Sequence, residues 1–489
     1  MSLTRMPMMT RTLILIALLA VTGGAQAAAA TPEFHTAACS FTVPEGRAAT
    51  CGTVILPENR DRPNGMTVTL AVAILSTPDQ AGDAPPILYL EGGPGGAAGL
   101  DPDGIARWWD LIARNGWLQK RRLVLYDQRG MGRSVPNLTC PEMVEAQIRA
   151  NSPEGGDVTG AEAVAAAGAC RTRWEAEGRD LTHYTTIDSA RDVADLRLAL
   201  GIDRWVLFGS SYGTRLALET VRRFPDGIAA MILDGVYPPG TNLFTSSEED
   251  DPDGDRSLQR VFAACSADPA CAAAYPNLGD RYRVLMEKLD DEPPTVTVDR
   301  PDGGGEAALM FTGGMLAEVV FNDLYSRDDA ATLPALIAGI DADRDDAYED
   351  AARQWLASQL DPTIANGAYD LAECLAPDAG DARTAVGSTC PAWPVGPADN
   401  LGAQPVDSAI PALILVGGMD PVTPVMWARA AASHLPNGFL VERPDEGHGL
   451  IGSDPCAETL AGRFLDAPDR QPVDACQAQP DPLRFVVNG

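Results

Sequence analysis

The segment Gly209-Ser210-Ser211-Tyr212-Gly213 sets a serine between glycines at both two-residue offsets. The apolar run Trp205 to Phe208 precedes it, and a helical stretch with Leu216, Thr220 and Phe224 at four-residue spacing follows, stopped by Pro225. A strand, a sharp turn and a helix would hold the Ser211 hydroxyl out on a strained backbone, with glycines where side chains would collide with the flanking elements. Ser210 is the rival hydroxyl, but it lacks the paired glycines. A serine attacks a carbonyl only when a base takes its proton, and that base needs a carboxylate to orient it. Only His434 and His448 lie downstream of Ser211. His434 ends a helical stretch, Val425 to Leu435, where capping is its expected role. His448 stands in the glycine-flanked loop Glu446-Gly447-His448-Gly449, just after a strand run, and is the expected base. Asp420 follows the strand run Ala412 to Val416 and is the expected acid, because a carboxylate there projects from the carboxyl edge of a parallel sheet. Asp234, after an earlier strand, is the runner-up, and Asp445 is expected at the loop surface.

A tetrahedral intermediate needs backbone N–H donors in place before its oxyanion forms. Tyr212, the residue after the serine, is expected to supply one. Glu91-Gly92-Gly93-Pro94-Gly95-Gly96 follows the strand run Ile87 to Leu90 and lets a carbonyl approach bare backbone; Gly93 is the expected second donor, with Gly92 behind it.

These residues need a sheet whose strand ends converge. Between about Thr53 and Asp234, short apolar runs alternate with helical stretches, the pattern of a parallel sheet with crossover helices. Its strand runs are Val68 to Leu75, Ile87 to Leu90, Leu123 to Tyr126, Trp205 to Phe208 and Met231 to Leu233; the pattern resumes at Ala412 to Val416 and Phe439 to Glu442. From about Gly240 to Asn400 the chain turns to Asp, Ala, Gly and Pro with helical fragments, and no buried-strand run recurs. The expected organisation is a core in two parts, 28–240 and 400–489, interrupted by a cap at 241–399.

Arg5 and Arg11 precede the apolar run Leu13 to Val21, and Ala25-Gln26-Ala27 follows, the pattern of a signal peptide over residues 1–27. The run is much shorter than the roughly 20 residues a membrane-spanning helix needs, so an exported chain without stable membrane association is expected. Ten cysteines agree with an oxidising compartment. Their order suggests local pairs: Cys39 with Cys51, Cys140 with Cys170, Cys265 with Cys271, Cys374 with Cys390, and Cys456 with Cys476. With no CxxC motif and only His35, His183, His434 and His448, neither a metal nor a cofactor is expected. The acidic runs around Asp251 and Asp341 read as solvated loops. Across 489 residues, 37 Lys and Arg against 68 Asp and Glu give a net charge of −31, which excludes a binder driven by nucleic-acid phosphates.

The turn Gly92-Gly93-Pro94-Gly95, the segment Asp127-Gln128-Arg129-Gly130-Met131-Gly132-Arg133-Ser134, the elbow at 209–213, Gly417 to Pro424 and Gly447-His448-Gly449 recur in this order. The sequence thereby resembles the proline iminopeptidase and secreted tripeptidyl aminopeptidase branch of the α/β-hydrolases. Glu91 departs from that branch, standing where many iminopeptidases have histidine. The resemblance implies an α/β-hydrolase fold, with a mostly parallel doubly wound sheet and an inserted, largely helical cap. It also implies a Ser-Asp-His exopeptidase acting on peptides with a free N-terminus, whose amine is held by cap carboxylates; Glu318, Asp370 and Glu373 are the candidates. A carboxylesterase or lipase-type hydrolase would use the same triad. A binding protein on a dead scaffold is disfavoured by the intact serine, acid and histidine.

Overall fold

The computed structural model describes residues 31–78, 80, 82, 84–155, 160–244, 256–377, 380–385, 387–395, 401–472 and 482–487. The expected signal peptide, the acidic run at Asp251 and Cys476 lie outside these residues. Residues 32–489 form one unit.

Nine strands build the main sheet, in the order β1-β2-β3-β5-β4-β6-β7-β10-β11. They are β1 (Phe34–Ala37), β2 (Ala48–Pro57), β3 (Thr67–Ser76), β4 (Ile87–Leu90), β5 (Leu123–Tyr126), β6 (Trp205–Ser210), β7 (Ile228–Asp234), β10 (Ala412–Gly417) and β11 (Gly438–Arg443). From β5 to β11 all pairings are parallel, whereas β1, β2 and β3 pair antiparallel at one edge. The central strands β4, β5 and β10 are buried along their whole length, which is why they read as unbroken apolar runs. Their side chains alternate between two cores. Leu88, Leu90, Val124, Leu207, Met231 and Ile414 face one, with the helices Thr186–Ala199 and Tyr212–Arg223. Ile87, Tyr89, Leu125, Phe208, Ile232 and Leu415 face the other, with the helices Pro102–Arg114 and Pro455–Asp466. Helices on both faces make the sheet doubly wound, an α/β-hydrolase fold.

The first edge was missed by the apolar pattern. In β2 exposed and buried positions mix, and β1 has no fully buried residue, so neither gives a buried run. Residues 241–399, where helical fragments and no buried-strand run were expected, also hold two half-exposed strands. A hairpin of β8 (Thr295–Asp299) and β9 (Glu306–Met310) lies there. It buries only Val296, Val298, Ala307 and Leu309, on one face, and the positions between them, Thr297 and Ala308, are exposed, so neither strand is a buried run. The rest of that segment is largely helical. Its helices, including Leu278–Asp291, Gly313–Asp323 and Asp345–Gln359, close on a third core around Leu285, Phe311, Leu316 and Trp355.

Four cysteine pairs close as the local order suggested: Cys39–Cys51, Cys140–Cys170, Cys265–Cys271 and Cys374–Cys390. Cys456 is also disulfide-bonded, and no described cysteine is free. Alkylating the native protein without reductant, followed by intact-mass measurement, is expected to leave these cysteines unmodified. Four or more adducts would overturn the local pairing. No helix among the described residues is long and apolar enough to cross a membrane.

Candidate active site

Ser211 stands between β6 and the helix Tyr212–Arg223 with φ 54° and ψ −125°, a conformation that L residues rarely adopt. The turn is held from both sides. Ser211 N–H donates to Asp234 O at 2.9 Å, and Ser211 O accepts from Thr214 N–H and from its hydroxyl, at 2.8 and 2.7 Å. Gly92 explains the demand for glycine in the neighbouring loop. A Cβ there would lie 2.8 Å from Ser211 Cβ and 3.1 Å from Ser210 O, so any side chain would displace the serine.

His448 and Asp420 meet beyond the carboxyl ends of β10 and β11. His448 Nδ1 lies 2.7 Å from Asp420 Oδ2, with the ring almost buried. Asp420 Oδ1 accepts from the N–H groups of Val422 and Thr423, each at 2.8 Å, and Oδ2 also accepts from the Thr423 hydroxyl at 2.6 Å. Burial by itself would lower the His448 pKa; the charge and hydrogen bond of Asp420, with Asp234 further off, outweigh it and raise the pKa above the ordinary 6.5. No hydrogen bond joins Ser211 to His448 among the described residues. Such bonds are often long before substrate arrives. The two approach through Asp234 and Gly235: Ser211 is tied to the Asp234 carbonyl, and a Cβ on Gly235 would come 2.9 Å from His448 Cε1.

Asp234, the runner-up acid, turns to backbone instead of to the ring. Its carboxylate accepts from Leu450 N–H at 2.8 Å and Ile451 N–H at 2.7 Å, and burial pushes its pKa up to about 6. It therefore clamps the loop that carries His448. Of the other histidines, His434 pairs on the surface with Asp407 at 2.9 Å.

The Gly92 N–H is engaged by Glu91 Oε1 at 2.7 Å, whereas the N–H groups of Gly93 and Gly95 in that turn have no acceptor among the described residues. Tyr212 N–H opens the first turn of its helix and so has no intrahelical acceptor. Glu91 thus orients the turn; its carbonyl accepts from Gln128 Nε2 at 2.9 Å. Asp127 secures the other end, accepting from Ala98 N–H at 2.7 Å and Arg133 N–H at 2.6 Å. Arg129 in the same segment is buried and bidentate to Asp192, both contacts at 2.6 Å. The segment 127–134 therefore braces the glycine turn against the helix Thr186–Ala199.

The three cap carboxylates part company. Asp370 Oδ2 accepts from Thr389 Oγ1 at 2.5 Å and Trp393 Nε1 at 2.7 Å, tying the Cys390 loop, and burial pushes its pKa up to about 6. Glu318 accepts from Trp355 Nε1 at 2.6 Å inside the cap, where burial raises its pKa. Glu373 is linked to the serine turn by hydrogen bonds. Its Oε2 accepts from Tyr237 Oη at 2.8 Å, and Tyr237 N–H donates to Thr214 Oγ1 at 2.8 Å, on the first turn after Ser211. Tyr325, an aromatic residue within 241–399, carried no signal in the sequence. Its carbonyl accepts from His448 N–H at 2.8 Å, and its ring lies edge-on to the imidazole with centroids 5.1 Å apart. Cys140, Glu142 and Cys170 are the one close group of possible metal ligands among the described residues, but both sulfurs are in a disulfide.

Residues 85–282 match the sequence profile described as alpha/beta hydrolase fold, and residues 376–476 match one described as TAP-like protein. The chain is similar to Serine protease Hip1 of Mycobacterium tuberculosis, at 24% identity over 467 residues covering 85% of each chain. It is 30% identical over 227 residues to Tripeptidyl aminopeptidase of Streptomyces lividans, covering 45% of this chain and 41% of that one. Proline iminopeptidase of Xylella fastidiosa is 30% identical over 152 residues, covering 31% and 32%. With the sheet order, the serine turn and both profiles in agreement, the chain has the alpha/beta hydrolase fold, and its residues 376–476 are TAP-like in sequence.

Proposed function

We propose that this chain is an exported serine aminopeptidase that cleaves short peptides from a free N-terminus through an acyl-enzyme. The observation that carries the reading is the Asp420–His448 pair at 2.7 Å, set beside a serine held at φ 54°. His448 takes the Ser211 proton as the hydroxyl oxygen attacks the carbonyl carbon, and the N–H groups of Gly93 and Tyr212 receive the oxyanion. His448 then passes the proton to the leaving amine. A water molecule, deprotonated by the same imidazole, releases the acyl group. Residues 241–399 act as the cap, and the disulfides and the N-terminal pattern support export.

The relatives' names support a peptide substrate, and Glu373 is the carboxylate best placed to receive its ammonium. An esterase has no use for such a group. An N-acetylated peptide amide is therefore expected to be cleaved at least about tenfold less efficiently than its free counterpart, about 1.4 kcal/mol of lost transition-state binding. Amino-acyl, dipeptidyl and tripeptidyl chromogenic amides, assayed beside their acetylated forms and simple acyl esters, provide the measurement. Equal rates on free and acetylated amides, with fast ester cleavage, would move the chain to the esterases.

A further inference from the structure

Thr423 is 1% exposed, and its hydroxyl lies where the acid and the base meet. Oγ1 donates to Asp420 Oδ2 at 2.6 Å and stands 3.2 Å from His448 Nδ1, which is itself 2.7 Å from the same Oδ2. The hydroxyl proton belongs to the shorter bond, which the carboxylate charge strengthens. An oxygen lone pair then remains for the Nδ1–H, so that proton lies between two acceptors. Gly235 makes the arrangement possible, because a Cβ there would come 3.1 Å from Thr423 Oγ1 as well as against the imidazole.

We propose that Thr423 is a positioning residue of this site: its hydroxyl holds the His448 ring with Nδ1 protonated and Nε2 basic, and moderates the pull of Asp420 on the imidazolium proton. The proposal rests on the triad reading above. A hydrogen bond donated to a carboxylate stabilises its negative charge, so Asp420 attracts the proton less strongly with the hydroxyl present than without it. The other charged or polar groups around the ring come from three elements. Asp234 approaches from the end of β7, held by Leu450 and Ile451. Tyr325 approaches from the cap. Glu446, on the same loop, is paired with Arg327 at 3.0 Å. All of them remain when only the Thr423 hydroxyl is removed.

Thr423→Val keeps the side-chain volume and loses the oxygen, whereas Thr423→Ser keeps the oxygen. In the full chain carrying Ser211→Ala, a histidine-selective NMR titration, with His448→Gln to identify the signal, is expected to show the His448 pKa raised by about 0.5 to 1 unit in Thr423→Val and within about 0.2 unit of the parent in Thr423→Ser. With Ser211 present, Thr423→Val should lower kcat by about tenfold or more at nearly constant KM, with Thr423→Ser restoring it. If Thr423→Val does not fold, Thr423→Ala takes its place in both measurements. An unchanged titration and an unchanged kcat in the folded variant overturn the proposal. Failure of the triad reading shows elsewhere, as activity surviving Ser211→Ala, and leaves the titration of His448 a direct readout of the Thr423 hydroxyl.

Discussion

Ser211→Ala is expected to lower kcat by about five to six orders of magnitude while the protein stays folded, the penalty found when a triad nucleophile is removed elsewhere. Only an oxygen is lost. The bonds that fix the turn, from Ser211 N–H to Asp234 and from Thr214 to Ser211 O, run through backbone that alanine retains. The variant should match the parent in melting temperature and circular dichroism. On the parent enzyme, a fluorophosphonate should label Ser211, and peptide mapping locates the adduct. An adduct on Ser210, or none on active enzyme, would falsify the assignment.

Asp420→Asn should lower kcat by about 10⁴, because an amide nitrogen turned toward His448 Nδ1 selects the wrong tautomer. Asp234→Asn should do far less to the chemistry. Its carboxylate meets the N–H groups of Leu450 and Ile451, so the change loosens the loop and is expected to reduce stability first. The pH profile separates the two further. In the proposed mechanism the neutral form of His448 is the base, and its pKa is raised above the ordinary 6.5, against its burial, chiefly by Asp420. For the parent, kcat/KM should therefore fall as pH drops through a value above 6.5, and that acid limb should move to lower pH in Asp420→Asn. An inactive but folded Asp234→Asn beside an active Asp420→Asn would assign the acid to β7.

The strands β4 and β5 lie where their apolar runs place them, because a strand buried on both faces leaves a continuous signature in the chain. The half-exposed strands β2, β8 and β9 leave no such signature, since every second side chain answers to solvent. The turn at Ser211 was equally legible, its conformation being set within a few residues by the two glycines and the flanking elements. The placement of the cap carboxylates was not. Glu318, Asp370 and Glu373 have the same chemistry in the sequence, and only packing turns the first to Trp355, the second to Thr389 and the third to Tyr237.

By itself, then, the sequence determined the elements and the local turns: which segments are buried strands, where glycine is obligatory, and which cysteines lie near enough along the chain to pair. The tertiary structure decided which acid reaches the imidazole. Asp234 ends β7 and Asp420 lies three residues beyond the end of β10, and although the sequence favours Asp420, either carboxylate would stand at the carboxyl edge of the sheet. The loop after β11 presents its backbone N–H groups to one and the His448 ring to the other. The cap, from Tyr325, then fixes the backbone of that histidine across 123 positions of sequence. Contacts between distant segments follow from how the cores close against one another, and no residue pattern within either segment records them.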